Sequence, residues 1–194
     1  MLHQILVNKQ LVLASASPRR KAIFEMLNLK ALIFPALVEE NSEINVPHYL
    51  VQTHAKIKAE FVARKMPYDT IVVGADTIVY INNNVLGKPT DKYEAYEYLS
   101  RLAGAKHNVY TGIAICYKNQ TKTAYARSLV EFYPMSSQEI EAYIETGEPL
   151  DKAGAYGIQG YGSQFIKKIT GCYFNVMGFP VSTFYQLAQE IILT

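Results

Sequence analysis

LVLASASPRRKAIFEML, residues 11–27, passes from a short apolar strand to helical spacing within a few residues. Leu11-Val12-Leu13-Ala14 reads as a buried strand, and Lys21 to Leu27 takes up the period of a helix. Pro18 suits a first-turn position because its fixed φ matches the helix and its missing N–H would have no partner there. The same alternation continues outward. Strands are predicted at 31–38 (broken by Pro35), 70–81, 108–117 and 123–133, and helices at 18–28, about 48–65, 91–104, 136–147 and about 180–193. Asp91 and Ser136 or Ser137 are the expected caps, and Gly104 and Gly147 the expected stops. Asn82-Asn83-Asn84 reads as a hairpin tip with VLGK returning. Helices interleaved with strands give an α/β fold with a mixed sheet.

Composition narrows the class. The chain has 194 residues, enough for one generous domain or two small lobes. It is 49% apolar and 19% charged, which is globular composition, with no repeat or low-complexity linker. A net charge of +2 supplies no basic field for nucleic acid, so any anion site must be local. Cys116 and Cys172 form no metal spacing or disulfide framework and read as buried free thiols, which suits a reducing compartment. MLHQILVNKQ lacks the charged and long apolar regions of a signal peptide, and no run is long enough to span a bilayer. A soluble cytoplasmic protein is the expectation.

Ser15, Ser17, Arg19 and Arg20 stand where a strand end meets a helix N-terminus, which presents backbone N–H groups and about half a positive charge. Hydroxyls allow close approach, and a guanidinium fork matches phosphate oxygens. A solvated basic surface capped by Ser17 would carry the same residues, so this segment alone leaves both readings open. The Walker pattern is absent. Asp76 lies inside the β-branched run TIVVGADTIVYI, where a carboxylate is costly unless paired. It reads as a metal ligand or proton acceptor, or else as a satisfied structural Asp; Gly74 and Ala75 beside it read as room for a ligand. Lys88, between Gly87 and Pro89, could be a fixed point charge for phosphate. Glu39, Glu40 and Glu43 read locally as an acidic turn, and Lys56 and Lys58 as surface charges, unless they complete a site with Asp76. His107 reads as a surface or structural histidine. The Gly-rich stretch 148–165 reads as a functional loop too irregular for the core.

Taken in register, these segments resemble the Maf family of nucleoside triphosphate pyrophosphatases. The resemblance runs through LASASPRR at 13–20, a Glu before the second helix, Lys58-Ala59, and GADTIV at 74–79. It continues through LGKP at 86–89, H-x-V-x-TG at 107–112, DKAGAYGIQG at 151–160 and G-x-P at 178–180. It implies a single domain over 1–194 with an inosine-triphosphatase-like mixed, twisted sheet, flanking helices and two lobes around a nucleotide cleft. It implies hydrolysis between the α- and β-phosphates with Mg²⁺ or Mn²⁺, and a homodimer. By the same resemblance Asp76, Lys58, Lys88 and Glu40 are catalytic, with Asp76 and Glu40 as metal ligands. Ser15, Ser17, Arg19, Arg20, Thr77 and Gln159 then bind substrate. Gln159, with Arg19 and Thr77, looks like the branch acting on dTTP and UTP, since an amide can donate to and accept from a uracil-type edge. The alternatives are a pyrophosphatase acting on 7-methyl-GTP or another modified nucleotide, and a non-catalytic nucleotide-binding regulator of cell division. Phe179 and Cys172 depart from the family's usual residues.

Overall fold

The computed structural model describes residues 1–39 and 44–193. In chain order these form α1 (Leu2–Leu6), β1 (Leu11–Leu13), α2 (Pro18–Met26), β2 (Leu32–Ile33), α3 (Pro47–Ala63), β3 (Ile71–Ile81) and β4 (Asn84–Leu86). Then come α4 (Lys92–Leu102), β5 (Lys106–Tyr117), β6 (Gln120–Phe132), α5 (Ser137–Glu145), β7 (Ile166–Thr170), α6 (Tyr173–Met177) and α7 (Val181–Ile192). Three short 3₁₀ turns, Glu148–Asp151, Ala153–Ala155 and Gly160–Phe165, occupy the stretch between α5 and β7.

The sheet is mixed, with strand order β2-β1-β3-β5-β6-β7 and β4 paired to β3. Val12 of β1 stands opposite Leu32 and Val72 in parallel register, as strands linked through helices require. The β4 and β7 pairings are antiparallel. Two tight hairpins follow from residues that tolerate a left-handed backbone. Asn82 and Asn83 have φ 47° and 62°, and Lys118 and Asn119 have 47° and 61°, as a two-residue primed turn demands.

By internal contacts the chain divides into two compact units. The first comprises Met1–Asp76, Thr111–Ala126 and Gly178–Thr194. Its core sets Val12, Val72 and Ala114 of the strands, with Ala14 just past β1, against Ala55, Ala59 and Val62 of α3. Small residues on both sides bring helix and sheet unusually close. A Cβ on Gly74 would strike the Ala55 carbonyl and lie 2.8 Å from the Ala59 nitrogen. One on Gly112 would strike the Val51 carbonyl and lie 2.7 Å from the Gln52 nitrogen. The space beside Gly74, read from sequence as room for a ligand, is therefore filled by the α3 backbone. Phe24 packs edge-on to Phe179 at 5.0 Å, so the family departure at 179 is buried against an aromatic neighbour.

The second unit comprises Thr77–Tyr110 and Arg127–Met177. Its core includes Leu86, Leu99, Leu102, Phe132, Ile140, Tyr143, Tyr156 and Phe165. Asp91 caps α4 by accepting from the Glu94 nitrogen at 2.8 Å, and Ser136 with Glu139 forms a capping box on α5. His107 is buried, with Nε2 2.8 Å from the Tyr156 hydroxyl and the Phe132 ring edge-on; it is structural.

The structure departs from the sequence reading in several places. The strand expected at 31–38 is only Leu32–Ile33, because Pro35 lacks the N–H a ladder needs. The stretch 148–165 is not all surface: Gly154 to Ile158 are buried, and Ala155 and Tyr156 belong to the core. Cys116 is buried but Cys172 only half-buried, and both thiols are free. Helix α1, strand β7 and helix α6 carry no strong sequence pattern and stand outside the elements the sequence predicts.

Candidate active site

Strand β3 carries Gly74 and Asp76 on one face, since side chains alternate along a strand. That face meets α3, where His54 and Lys58 sit one turn apart and so share a side of the helix. The bare glycine lets the helix come near enough for both side chains to reach the carboxylate. Lys58 Nζ donates to Asp76 Oδ1 at 2.7 Å. His54 Nδ1 lies 3.3 Å from Oδ2, and because an ionised carboxylate only accepts, the histidine is the donor. All three groups are largely shielded, with Asp76 only 7% exposed.

Burial pushes the Asp76 carboxyl upward. The His54 hydrogen bond, the charge and hydrogen bond of Lys58, and the charge of Arg20 together more than reverse this, holding it well below the usual carboxylate range. Arg20, itself buried, reaches this field from the first turn of α2. Its Nε donates to the Gly178 carbonyl at 2.9 Å and its Nη1 to Ser15 Oγ at 3.0 Å. Ser15 Oγ also accepts from the Ser17 N–H at 3.2 Å. The opening motif is thus a knot closed on Ser15, with Pro18 in the first turn of α2 and Ser17 as N-cap residue. Among the described residues the Ser17 hydroxyl makes no capping bond, so the expected Ser17 side-chain cap does not form.

Ser15, Ser17, Arg20, Lys58 and Asp76 thus come together in the first unit, with Arg19 half-buried beside Arg20. Thr77, Lys88 and Gln159 belong to the second unit. Thr77 is the residue after Asp76 on β3, half-buried. Lys88 is exposed just beyond β4, and the Gly87 carbonyl before it accepts from the Gly154 N–H at 2.9 Å. Gln159 is exposed immediately after the buried Ile158. Glu40 and Glu43 lie outside the described residues, and Glu39 is exposed. The sequence reading missed His54; its spacing from Lys58 was the available signal.

Among the described residues no group of three or more metal-binding side chains occurs. One carboxylate, with Lys58 on one oxygen and His54 on the other, does not make a cage for a resident ion. It does suit a cation of the magnesium type, which takes one or two carboxylates and completes its shell with water and substrate phosphates.

The profile of the family described as "Maf-like protein" matches residues 10–191. The chain belongs to the Maf family. Among its relatives is a protein of Bacillus anthracis named dTTP/UTP pyrophosphatase, 46% identical over 184 residues, 94% of each chain. Proteins of the same name from Bacillus cereus and a Geobacillus species are also 46% identical. They align over 94% and 90% of this chain and 89% and 94% of their own. The Maf match spans the Ser15–Arg20 turn, the Lys58–Asp76 pair and the Gln159 loop alike. No helix among the described residues is long and apolar enough to cross a membrane.

Proposed function

We propose that this chain hydrolyses dTTP and UTP between the α- and β-phosphates, releasing the nucleoside monophosphate and pyrophosphate. The observation that carries this reading is a buried Asp76 carboxylate held by Lys58 and His54 within the field of Arg20. The names of relatives that align along nearly the whole chain support the substrate class.

The low proton affinity of Asp76 speaks to its role. A carboxylate that binds a proton so weakly is a poor general base at neutral pH. Asp76 instead supplies fixed negative charge, orienting the water that attacks the α-phosphorus and anchoring the cation that accompanies the triphosphate. Glu40 is proposed as a second carboxylate for that cation, on the resemblance alone. When bound, Mg²⁺ or Mn²⁺ would offset phosphate charge and polarise the scissile anhydride. Arg20, fixed by Ser15 and Gly178, and Lys58 place positive charge for the phosphates, with Lys88 as a further point charge. Ser15 and Ser17 line the phosphate-facing turn, while Arg19, Thr77 and Gln159 choose the nucleotide. The resemblance further implies a homodimer, which sedimentation of the purified chain tests, and the two unpaired cysteines support a reducing, cytoplasmic compartment.

A panel of dTTP, UTP and 7-methyl-GTP, assayed for pyrophosphate with Mg²⁺ or Mn²⁺, tests the function. Preference for dTTP and UTP with pyrophosphate as product is expected, and Gln159→Glu should erode it. Orthophosphate with a nucleoside diphosphate, or no turnover of any member, would overturn the reading.

A further inference from the structure

The exposed Gln159 sits in the sequence Gly157-Ile158-Gln159-Gly160-Tyr161-Gly162, and the backbone on both sides of it is held by one pair of side chains. Glu148, just past the end of α5, accepts from the Tyr161 N–H through Oε2 at 2.8 Å and from the Gly162 N–H through Oε1 at 3.1 Å. Tyr143, within α5, donates its hydroxyl to Glu148 Oε1 at 2.8 Å, and that hydroxyl oxygen accepts from the Gly157 N–H at 3.2 Å. Three amides, one before Gln159 and two after it, therefore end on a single carboxylate–phenol couple.

The glycines make room for this couple. Gly160 has φ +77°, a left-handed backbone that favours glycine, and any Cβ there would strike the Glu148 carboxylate. A Cβ on Gly162 would lie 2.5 Å from the Tyr143 hydroxyl. Lys152 adds a brace, donating to the Glu148 carbonyl at 2.6 Å while its stem lies where a Gly157 Cβ would go. Burial, and then the Glu148 bond, push the Tyr143 phenol far above its ordinary value, so it keeps its proton and stays a donor. Burial works against the Glu148 charge, but the Tyr161 and Gly162 amides and the Tyr143 bond hold its carboxyl below the ordinary range.

We propose that Glu148, seated through Tyr143, is a positioning residue for base recognition: it fixes the backbone that presents Gln159 and so sets the register in which the amide meets the base. This rests on the reading of Gln159 as the residue that senses the base. A carboxylate that only stabilised the fold would leave substrate discrimination untouched when altered. A positioning carboxylate transmits its loss to KM and to base preference, because the amide's donor and acceptor must meet the base edge in one orientation.

The test uses Glu148→Gln and Tyr143→Phe in the full chain. The first keeps shape but presents an amide NH₂ to one of the backbone donors; the second removes only the hydroxyl. UTP and CTP serve as probes, since they differ at the edge an amide would read. Loss of a hydrogen bond to a charged group corresponds to about a tenfold effect. Each variant should raise KM for UTP about tenfold and reduce the UTP-over-CTP preference by a similar factor, with saturated turnover changed less than about threefold. Amide hydrogen exchange at Gly157, Tyr161 and Gly162 should quicken while Ile71 to Val73 stay protected. Quickened exchange with unaltered KM and preference would overturn the positioning role, and unaltered exchange would overturn the clamp itself. Should Glu148→Gln fail to fold, Tyr143→Phe carries the same readouts. Gln159→Ala separates the two claims: an unchanged UTP-over-CTP preference there overturns the reading of Gln159, and the proposal with it, whatever exchange shows.

Discussion

Replacing Gly74 by alanine tests the geometry on which the site depends. The new methyl would be driven into the Ala55 carbonyl and would lie 2.8 Å from the Ala59 nitrogen, both backbone atoms of α3. Neither can rotate away, so α3 would have to withdraw by roughly 1 Å to restore an ordinary contact. Overpacking of this kind costs about 2–3 kcal/mol. For a chain of this size that lowers the melting temperature by roughly 4–12 °C. The catalytic consequence is separate. Lys58, at 2.7 Å from Asp76, has a flexible stem and can follow the strand part of the way. His54, already at 3.3 Å with a stiffer side chain, cannot. The carboxylate would lose one donor and have the other misplaced, and displacements near 1 Å lower turnover by about 10–100-fold. Pyrophosphate release should be measured well below the melting transition, so that only folded protein is assayed. Wild-type melting and wild-type turnover together would refute the claim that α3 rests on bare strand at this residue.

Asp76→Asn should lower pyrophosphate release at least about 100-fold while the circular dichroism spectrum stays folded; near-normal hydrolysis would remove Asp76 from the mechanism. Because its folded carboxyl is held below the ordinary 3.8, the ionised group contributes stability that is complete above that value and lost as pH falls below it. Acid unfolding of the Asn variant should lack this dependence. His54→Leu should reduce turnover about tenfold by removing a charge-assisted bond to Asp76, and an unchanged kcat would make the histidine a bystander. His107 is pushed by burial from 6.5 to about 4, so on acidification the unfolded chain takes up its proton first and stability falls from about pH 6.5 down to about 4. This residue alone should cost about 2 kcal/mol between pH 7 and pH 5 in guanidinium unfolding, a difference that His107→Phe should abolish.

How much of this was legible in the sequence depends on how far each residue's partner lies along the chain. The turn at Ser15 to Arg20 was readable because strand, proline and helix are neighbours in sequence, and local rules decide them. The caps at Asp91 and Ser136 and the Asn82-Asn83 turn were readable for the same reason. What holds Arg20, by contrast, is the carbonyl of Gly178, 158 residues on. His54 meets Asp76 across 22 residues and two elements, so its spacing from Lys58 is the one local sign and gives no hint of the carboxylate. Gly74 was misread on the same ground: a sequence shows that a Cβ is missing but not which atoms occupy its place. The buried part of 148–165 was misread because its glycines and polar ends set the average, while Ala155, Tyr156 and Ile158 set the packing.

These misreadings share a physical root, and it recurs in each unit separately. Gly74 and Gly112 admit the α3 backbone, and Gly160 and Gly162 admit the Glu148–Tyr143 couple. In each case a missing side chain allows a neighbour to approach, the helix backbone at one site and a carboxylate and phenol at the other, and that approach fixes a polar group: Lys58 and His54 on Asp76, or the amides around Gln159. The glycines of GADTIV and GIQGYG therefore act at one remove from Asp76 and from Gln159. Substitution at Gly74 should fall mainly on turnover, because it disturbs the Asp76–Lys58–His54 charges proposed to act on the phosphates. Substitution at Gly160 should fall mainly on KM and base preference, because it disturbs only the loop that presents Gln159. Parallel kcat and KM measurements on Gly74→Ala and Gly160→Ala would expose that division, and the same pattern in both variants would refute it.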